Sequence, residues 1–337
     1  MLSNKSVLLD PDSGSFFLCK YSSWYHLLGI CSFFERLVSK PECIIFYTGS
    51  FFGKCVMPPR ELLETYGSKV HFVDNRSDAI SLLVKYNIKK ERVFLLNPSR
   101  RPIMLSYAIR RSGFPLHIVF IEEGLGYYGG ILQDVKAFAR ENFRSVRLPL
   151  VLKLVLSMVI VLIGNSFFFG TRSSCWSLFD RETLELNLEV RHSYLCALQK
   201  LADHMPQPMA PEGSGFITIV VTGPYSELGQ LANSDEREIL DYACSQVLDS
   251  STVLIKPHPI ECPKKYEGYS VIDPSIPLEL YLFYFKSRVA SLLMISSTSA
   301  YTSKVLFGLT IKRIEKFDLF HESLSRKQKK LISISAA

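Results

Sequence analysis

Two short stretches of sequence, each at the end of an apolar run, determine how this chain is interpreted. The first is Phe120-Ile121-Glu122-Glu123-Gly124-Leu125-Gly126, where the apolar run over residues 117–121 ends in two carboxylates and a glycine. Such a run is typical of a buried strand, and open α/β sheets bind ligands at the C-terminal ends of their strands. If both acids are partly buried, their mutual repulsion raises the pKa of one, which can then accept a substrate proton near neutral pH. An isolated Glu-Glu-Gly is more often a solvated loop.

The second stretch is Ile255-Lys256-Pro257-His258-Pro259, which follows a predicted strand over residues 252–255. Prolines fix φ and remove backbone donors, so this turn holds the imidazole of His258 in one place. A positioned histidine beside a lysine can donate a proton or a hydrogen bond to a phosphate oxygen. Taken alone, a single histidine in a turn is more often structural or simply exposed.

Composition limits the class of partner. The chain has 337 residues, 47% of them hydrophobic, and a net charge of +7, which favours an acidic ligand, an anionic membrane or nucleic acid. The basic residues are scattered apart from the C-terminal tail, and no nucleic-acid-binding module is present, so we predict no nucleic-acid partner. The eight cysteines form no C-x-x-C pair, and the first residues, Met1 to Ser6, contain neither the apolar core nor the cleavage pattern expected of a signal sequence. These features predict reduced thiols and a cytoplasmic protein.

Short apolar runs alternate with amphipathic ones along most of the chain, which predicts parallel, doubly wound sheets. In the first lobe we predict strands over residues 16–20, 43–48, 70–73, 92–96 and 117–121, with helices over 24–38, 59–66, 77–86 and 101–111. In the second lobe we predict strands over 216–222, 252–255, 269–272 and 290–295. The predicted division is an extension (1–15), a first lobe (16–146), a hydrophobic helical region and linker (147–215), a second lobe (216–315) and a basic tail (316–337).

The stretch over residues 148–169 is ambiguous because it contains a single charge, Lys153, and approaches transmembrane length. A single span would place the two lobes on opposite sides of a membrane. We therefore favour a helix buried between the lobes, or lying against the inner membrane face, over a true span. A further amphipathic helix is predicted over residues 183–204, followed by a Pro/Gly-rich linker over 206–215.

Three further patterns have a ligand interpretation and a structural alternative. Ser296-Ser297-Thr298-Ser299 lies where a strand turns into a helix, and its hydroxyls with the free N–H groups could hold a phosphate or form a simple N-cap. Glu279 follows a proline at a helix start and could bind ribose hydroxyls or cap the helix. Asp10 and Asp12 resemble a metal-binding pair, but they precede the first strand, and we predict no metal site.

Together these elements resemble the bacterial sialyltransferases of the lipooligosaccharide and polysialic-acid-capsule types. Those families carry an acidic pair with glycine, a His-Pro motif and a Ser-Ser/Thr motif in this order, here Glu122-Glu123-Gly124, His258-Pro259 and Ser296-Ser297-Thr298. Residues 17–28 and 276–279 resemble the family's first strand–loop–helix and its ribose-binding segment. Residues 23–26 depart from the family, which often has a proline and a glutamine there. The resemblance implies an α/β fold of GT-B type, with two Rossmann-like lobes whose parallel sheets face a central cleft.

The resemblance also implies a reaction: inverting transfer of sialic acid from CMP-sialic acid to a glycan hydroxyl, without a metal or another cofactor. Glu123 would be the general base, Glu122 would orient it or raise its pKa, and His258 would protonate or hydrogen-bond the CMP phosphate. The other implied substrate-binding residues are Ser23, Gly124, Gly223, Pro224, Lys256, Pro259, Glu279, Ser296, Ser297, Thr298 and Ser299. The assignment requires that the two strand ends face one cleft.

Several alternatives stay open. Asp235 and Glu236 are second-ranked candidates for the base, because some relatives use a carboxylate shortly before the His-Pro motif. The donor could be another CMP-activated acidic sugar such as Kdo or another nonulosonic acid, or the chain could be a non-catalytic capsule-assembly partner. The expected partners are the nucleotide sugar, a glycan acceptor (capsular polysaccharide, lipooligosaccharide or O-antigen), the inner membrane, capsule or lipopolysaccharide assembly proteins and a second copy of the chain.

Overall fold

A computed structural model of the chain describes residues 16–48, 57–98, 103–122, 135, 139, 148–167, 172–180, 183–211, 213, 215–223, 226–227, 232–247, 251–259, 261–294 and 298–313. The chain divides into two compact units, Met1–Ser193 and Tyr194–Ala337. Each unit contains one sheet, and the paired strands of both sheets run parallel.

The first unit contains a six-stranded sheet in the order β3-β2-β1-β4-β5-β6. This is a doubly wound order, and it reverses between β1 and β4. The strands are β1 (Phe16–Tyr21), β2 (Cys43–Thr48), β3 (Val70–Val73), β4 (Val93–Asn97), β5 (Leu116–Ile121) and β6 (Arg172–Trp176). The helices are α1 (Trp24–Phe34), α2 (Arg60–Glu64), α3 (Arg76–Tyr86), α4 (Ile103–Arg111) and α5 (Leu150–Phe167). The central strands are continuous apolar runs because both faces of a doubly wound sheet are covered.

The second unit contains a four-stranded sheet in the order β10-β9-β7-β8, which reverses between β7 and β9. Helix α6 (Leu188–His204) precedes it and includes the boundary between the units. The strands are β7 (Ile217–Val221), β8 (Thr252–Lys256), β9 (Val289–Met294) and β10 (Ile311–Arg313), and the helices are α7 (Asn233–Ser245), α8 (Leu278–Phe285) and α9 (Thr298–Phe307). The core on one side of this sheet centres on Ile219, Leu282 and Leu292, all fully buried.

Three elements differ from the sequence prediction. Residues 269–272 do not form a sheet strand; Val271 makes an isolated parallel bridge to Ile255, between Gly268 with φ of 90° and the turn at Asp273. Strand β6 was not predicted, because an edge strand with one paired neighbour can tolerate the polar residues Arg172, Ser173 and Ser174. Helix α1 ends at Phe34, four residues before its predicted end.

Helix α5 exposes an apolar surface. More than a third of each of eight large apolar side chains in its first eleven residues is accessible: Leu150, Val151, Leu152, Val155, Leu156, Met158, Val159 and Ile160. These side chains therefore form an exposed apolar surface on α5. Among the described helices, we find none whose length and apolar content suffice to cross a bilayer.

The segment predicted as a linker is attached to the second unit by one side chain. Arg288 donates hydrogen bonds from its guanidinium to the carbonyl oxygens of Pro211 (3.2 Å), Gly213 (2.5 Å) and Gly215 (3.3 Å). Gly213 has a φ of 78°, in the region that favours glycine. The end of the linker is therefore held in a fixed path before β7 begins.

Candidate functional site

The second unit brings several predicted residues to one edge of its sheet. Parallel strands end at the same edge, and the register pairs Val221 at the end of β7 with Lys256 of β8 and Met294 of β9. Gly223 follows β7 by two residues, and His258 follows β8 by two residues. Strand β9 ends with Met294 at this same edge, and the Ser-Ser-Thr motif follows it in the sequence. The sheet therefore brings Gly223, Lys256 and His258 to the edge where α/β sheets bind ligands.

Lys256 and Glu279 form a buried pair of ionisable groups near this edge. Lys256 is 5% exposed, and its Nζ donates to the carbonyl oxygens of Pro257 (3.0 Å) and Pro274 (3.3 Å). Burial lowers the pKa of Lys256 to about 8, against the attraction of Glu279 and Asp273. Two carbonyl oxygens thus hold the ammonium in place while burial destabilises its charge.

Glu279 lies in the first turn of α8 and is 2% exposed. Burial raises the pKa of its carboxyl to about 7, although a hydrogen bond from its own backbone N–H and the charge of Lys256 oppose the shift. Its Oε1 has no hydrogen-bond partner among the described residues. The helix has Pro277 at its N-cap and no side-chain cap. A buried oxygen of this kind is costly to leave unsatisfied, and a ligand hydroxyl would satisfy it.

The half-buried His258 is held through its backbone by Glu261, a residue that the sequence did not predict. The backbone N–H of His258 donates to Oε2 of Glu261 at 2.5 Å, and the backbone N–H of Glu261 donates to the carbonyl oxygen of His258 at 3.0 Å. The same Oε2 accepts from the hydroxyl of Thr222, at the end of β7, at 2.7 Å. One carboxylate therefore connects the His-Pro turn to the neighbouring strand.

Lys265 lies among three carboxylates beside this turn. Its Nζ is 2.8 Å from Glu227, 2.6 Å from Glu236 and 3.6 Å from Glu261. The ligand atoms of these glutamates lie within 4.8 Å of one another, close enough to share a metal ion. Here the ammonium of Lys265 supplies the neutralising positive charge. A cavity of about 570 Å³ adjoins the group, with Thr222, Glu236 and Lys265 in its wall.

In the first unit, Glu122 is fully buried at the end of β5. Its backbone N–H donates to the carbonyl oxygen of Trp176 (3.0 Å), and its Oε2 accepts from the backbone N–H of Leu178 (2.6 Å). The carboxylate thus joins the end of β5 to the chain that leaves β6. This contact is structural, and the effect of Glu122 on Glu123 stays a prediction.

Ser23 is the N-cap of α1, where its hydroxyl oxygen accepts from the backbone N–H of His26 at 3.2 Å. It follows β1, next to the point where the strand order of the first sheet reverses. The reversal also places the buried Asn97, the last residue of β4, near this end of β1. His26 lies in the first turn of α1, and its Nδ1 is 3.1 Å from the hydroxyl oxygen of Ser22. Asn97 lies near β1 only because β4 pairs with β1, and the sequence alone did not predict that strand order.

The remaining predicted residues fall into two groups. Glu123, Gly124, Pro224, Ser296 and Ser297 lie outside the described residues, as does the side chain of Thr298, which begins α9. The described ones are Ser299 in the first turn of α9, Pro259 beside His258, Asp235 exposed in the first turn of α7, and Glu236, which pairs with Lys265.

No family model matches the chain, and no curated protein sequence is similar to it. Solved structures are similar. An α/β-galactoside α-2,3-sialyltransferase from Photobacterium phosphoreum has a TM-score of 0.54 at 12% identity, over 94% of this chain and 98% of that one. The glycosyltransferase SnogD from Streptomyces nogalater has a TM-score of 0.46 at 9% identity, over 96% of this chain and 94% of that one. The fold is GT-B.

The GT-B fold confirms the predicted class and the two parallel sheets. At 12% identity, the sialyltransferase shows the fold and not the activity of this chain. Within the second unit, the strand order reverses between β7 and β9, and Gly223 directly follows the end of β7. Ligands of open α/β sheets bind at such a reversal. The sequence motifs and the topology therefore indicate the same edge of the second sheet.

Proposed function

We propose that this chain is an inverting sialyltransferase that transfers sialic acid from CMP-sialic acid to a hydroxyl of a cell-surface glycan. The proposal rests mainly on the group of residues at one edge of the second sheet. There a stiff His258 turn, a buried ammonium at Lys256 and a buried carboxyl at Glu279 accompany the strand-order reversal. Nucleotide donors bind at such an edge in α/β folds.

The reaction is a single displacement. The acceptor oxygen forms a bond to the anomeric carbon of sialic acid while the bond from that carbon to the CMP phosphate oxygen breaks. Glu123 accepts the proton of the acceptor hydroxyl, and His258 donates a proton or a hydrogen bond to the departing phosphate. The hydroxyls of Ser297 and Thr298 donate hydrogen bonds to the charged phosphate oxygens. Because attack and departure occur in one step, the configuration inverts.

Glu279 supports a nucleotide as the leaving group. Its buried Oε1, which has no partner among the described residues, can accept a hydrogen bond from a ribose hydroxyl. CMP carries one phosphate, so its charge is smaller than that of a nucleoside diphosphate. Histidine, hydroxyls and a helix start are proposed to stabilise it without a metal.

Release of CMP tests the proposal. We expect the purified chain to release CMP from CMP-sialic acid in the presence of a glycan acceptor, equally well with and without a chelator. His258→Ala and Glu123→Ala should each lower kcat by about 10²–10⁴-fold. Release of CMP from CMP-Kdo but not from CMP-sialic acid would show that the donor is CMP-Kdo. Full function in cells carrying each of the two variants would instead leave an assembly role for the chain.

We also propose that the chain lies on the inner membrane face through α5. Seven of its eight exposed apolar side chains, all except Leu150 in the first turn, cover roughly 200° of the helix surface. Ser157, which is fully buried, lies on the opposite side. A helix with an apolar face of this width binds at the boundary between lipid headgroups and acyl chains.

The charges around α5 favour an anionic membrane as the partner. Between Glu141 and Asp180 the sequence contains no acidic residue. The charged residues in that interval are all basic: Arg144, Arg147, Lys153 and Arg172. Basic residues beside an inserted apolar face attract anionic headgroups, at about 1 kcal/mol each. Capsule or lipopolysaccharide assembly proteins at the same membrane would give the enzyme access to its acceptor.

Vesicle sedimentation tests the membrane proposal. We expect the chain to bind vesicles containing phosphatidylglycerol more tightly than vesicles of phosphatidylcholine alone. Val155→Asp should weaken binding about tenfold, because a valine side chain leaves the lipid. Val84→Asp is the matched control, since Val84 is equally exposed in α3. Equal binding by both variants, or no binding by the unmodified chain, would refute the role of α5.

A further inference from the structure

We propose that Glu261 is a positioning residue, which fixes the His-Pro turn so that the imidazole of His258 faces the leaving phosphate. This inference rests on the proposed function, in which His258 acts on the phosphate. Glu261 lies outside the three sequence motifs, and the structure assigns its role from hydrogen bonds to the backbone of His258.

The hydrogen bonds of Glu261 restrict the backbone of His258, which the two neighbouring prolines do not fix. Pro257 and Pro259 fix their own φ angles, but the rotation about the backbone of His258 is not set by a ring. The Glu261 carboxylate accepts the backbone N–H of His258 at 2.5 Å, and the Glu261 backbone N–H returns a bond to the His258 carbonyl at 3.0 Å. This reciprocal pair closes the turn from both sides.

Thr222 connects the turn to the neighbouring strand. Its hydroxyl donates to Oε2 of Glu261 at 2.7 Å, and the hydroxyl of Tyr266 lies 2.9 Å from the same Thr222 oxygen. The backbone N–H of Thr222 also donates to the carbonyl oxygen of Lys256 at 3.2 Å. Hydrogen bonds therefore connect the His258 turn to the end of β7, in addition to its direct attachment to β8. These bonds limit the movement of the turn relative to the sheet edge.

Lys265 maintains the charge of this buried acceptor. Glu261 is 3% exposed, and burial raises the pKa of its carboxyl against the hydrogen bonds of Tyr266, Thr222 and His258 and the charge of Lys265. Lys265 is itself held by Glu227 and Glu236. A charged carboxylate accepts hydrogen bonds more strongly than a neutral one, so the ammonium supports the contact with His258.

Glu261→Gln and Glu261→Ala test the role, with Glu267→Gln as the matched control, because Glu267 is exposed in the same unit. We expect kcat for CMP release to fall about 10- to 100-fold in Glu261→Ala, since a turn displaced by about 1 Å costs rates of this size. The fall should be smaller in Glu261→Gln, whose amide oxygen still accepts but carries no charge, and KM for the donor should change little in both. Glutamine keeps the shape of the side chain, so Glu261→Gln remains informative where alanine impairs folding. An unchanged kcat in a folded Glu261→Ala variant would overturn the proposal, and where that variant does not fold, the amide measurement below decides it.

A double-mutant cycle separates positioning from a general structural effect. If Glu261 acts through His258, Glu261→Gln should cost less than about threefold in a His258→Asn background. An undiminished cost in that background would show that Glu261 acts elsewhere, and would also overturn the proposal.

A spectroscopic measurement distinguishes failure of this inference from failure of the proposed function. The backbone amide proton of His258 should resonate downfield in the unmodified chain, because it donates to a carboxylate, and should move upfield in Glu261→Gln. This readout requires no substrate. If the shift changes as expected while CMP-sialic acid is not a donor, the turn contact stands and the proposed function fails. If the amide is unaffected, Glu261 does not hold the turn.

Discussion

Replacement of Glu279 by glutamine should make the chain more stable at alkaline pH. Burial raises the pKa of this carboxyl to about 7, compared with 4.5 for an unperturbed glutamate. The folded state therefore binds the proton more tightly than the unfolded chain does. By linkage, the contribution of this group to stability is complete below about pH 4.5 and is lost as the pH rises through 7.

The size of the effect follows from the two pKa values. Their difference corresponds to about 3 kcal/mol, at about 1.4 kcal/mol per pKa unit. Glutamine resembles the protonated carboxyl and avoids this loss. The substitution also removes the attraction between Glu279 and the charged form of Lys256, whose pKa burial lowers to about 8. Loss of this attraction offsets part of the gain in stability. We expect Glu279→Gln to exceed the unmodified chain by about 2 kcal/mol near pH 8.5 and to equal it near pH 4.5.

Urea denaturation at both pH values measures this difference. Both tryptophans, Trp24 and Trp176, lie in the first unit, so circular dichroism is a better probe of the second unit than tryptophan fluorescence. Glu267→Gln, which removes an exposed carboxylate from the same unit, is the control. A stability difference that is the same at both pH values would refute the reasoning. We also expect KM for the CMP donor to rise, because the acceptor proposed for the ribose hydroxyls is altered.

Three other substitutions test contacts of the fold. Ser23→Ala should lower the free energy of unfolding by about 1 kcal/mol through loss of the α1 cap, and Ser23→Asp should restore it; urea denaturation measures both, and an unchanged Ser23→Ala would contradict the capping role. Ile219→Ala should cost about 3 kcal/mol, since this side chain is fully buried in the second core, and the same assay measures it. Arg288→Met removes three hydrogen bonds to the linker, so subtilisin should cleave residues 206–215 faster; equal cleavage rates would show that the linker does not need them.

The strands were predictable because each is an apolar run ended by polar or turn-forming residues. The runs that become β2 and β3 have the bounds that the sequence predicted. The same rule located the Lys256–His258 turn, because ligand-binding residues follow directly after buried strands. Edge strand β6 lacks this signal: it gains its place from pairing with β5, more than fifty residues earlier in the chain.

The network around His258 could not be predicted because it depends on three-dimensional proximity. Lys265 binds Glu227 and Glu236, which lie on separate elements some thirty to forty residues earlier in the chain. Each of these residues alone is an ordinary surface type. Glu261 was also within reach of His258 along the chain, but a glutamate three residues after a histidine has many solvated alternatives. Only the fold shows that its carboxylate accepts the backbone N–H.

The pairing of β5 with β6 has a consequence for synthesis of the chain. The six-stranded sheet cannot be completed until β6 has left the ribosome, yet α5 is translated before β6. During this interval the edge of β5 and the apolar surface of α5 are both accessible, and long-range parallel pairing of this kind forms slowly. We therefore expect the nascent chain to be sensitive to chaperone depletion and to yield more folded protein when translation is slowed after residue 176. Slower elongation would give β6 time to pair before the second unit emerges.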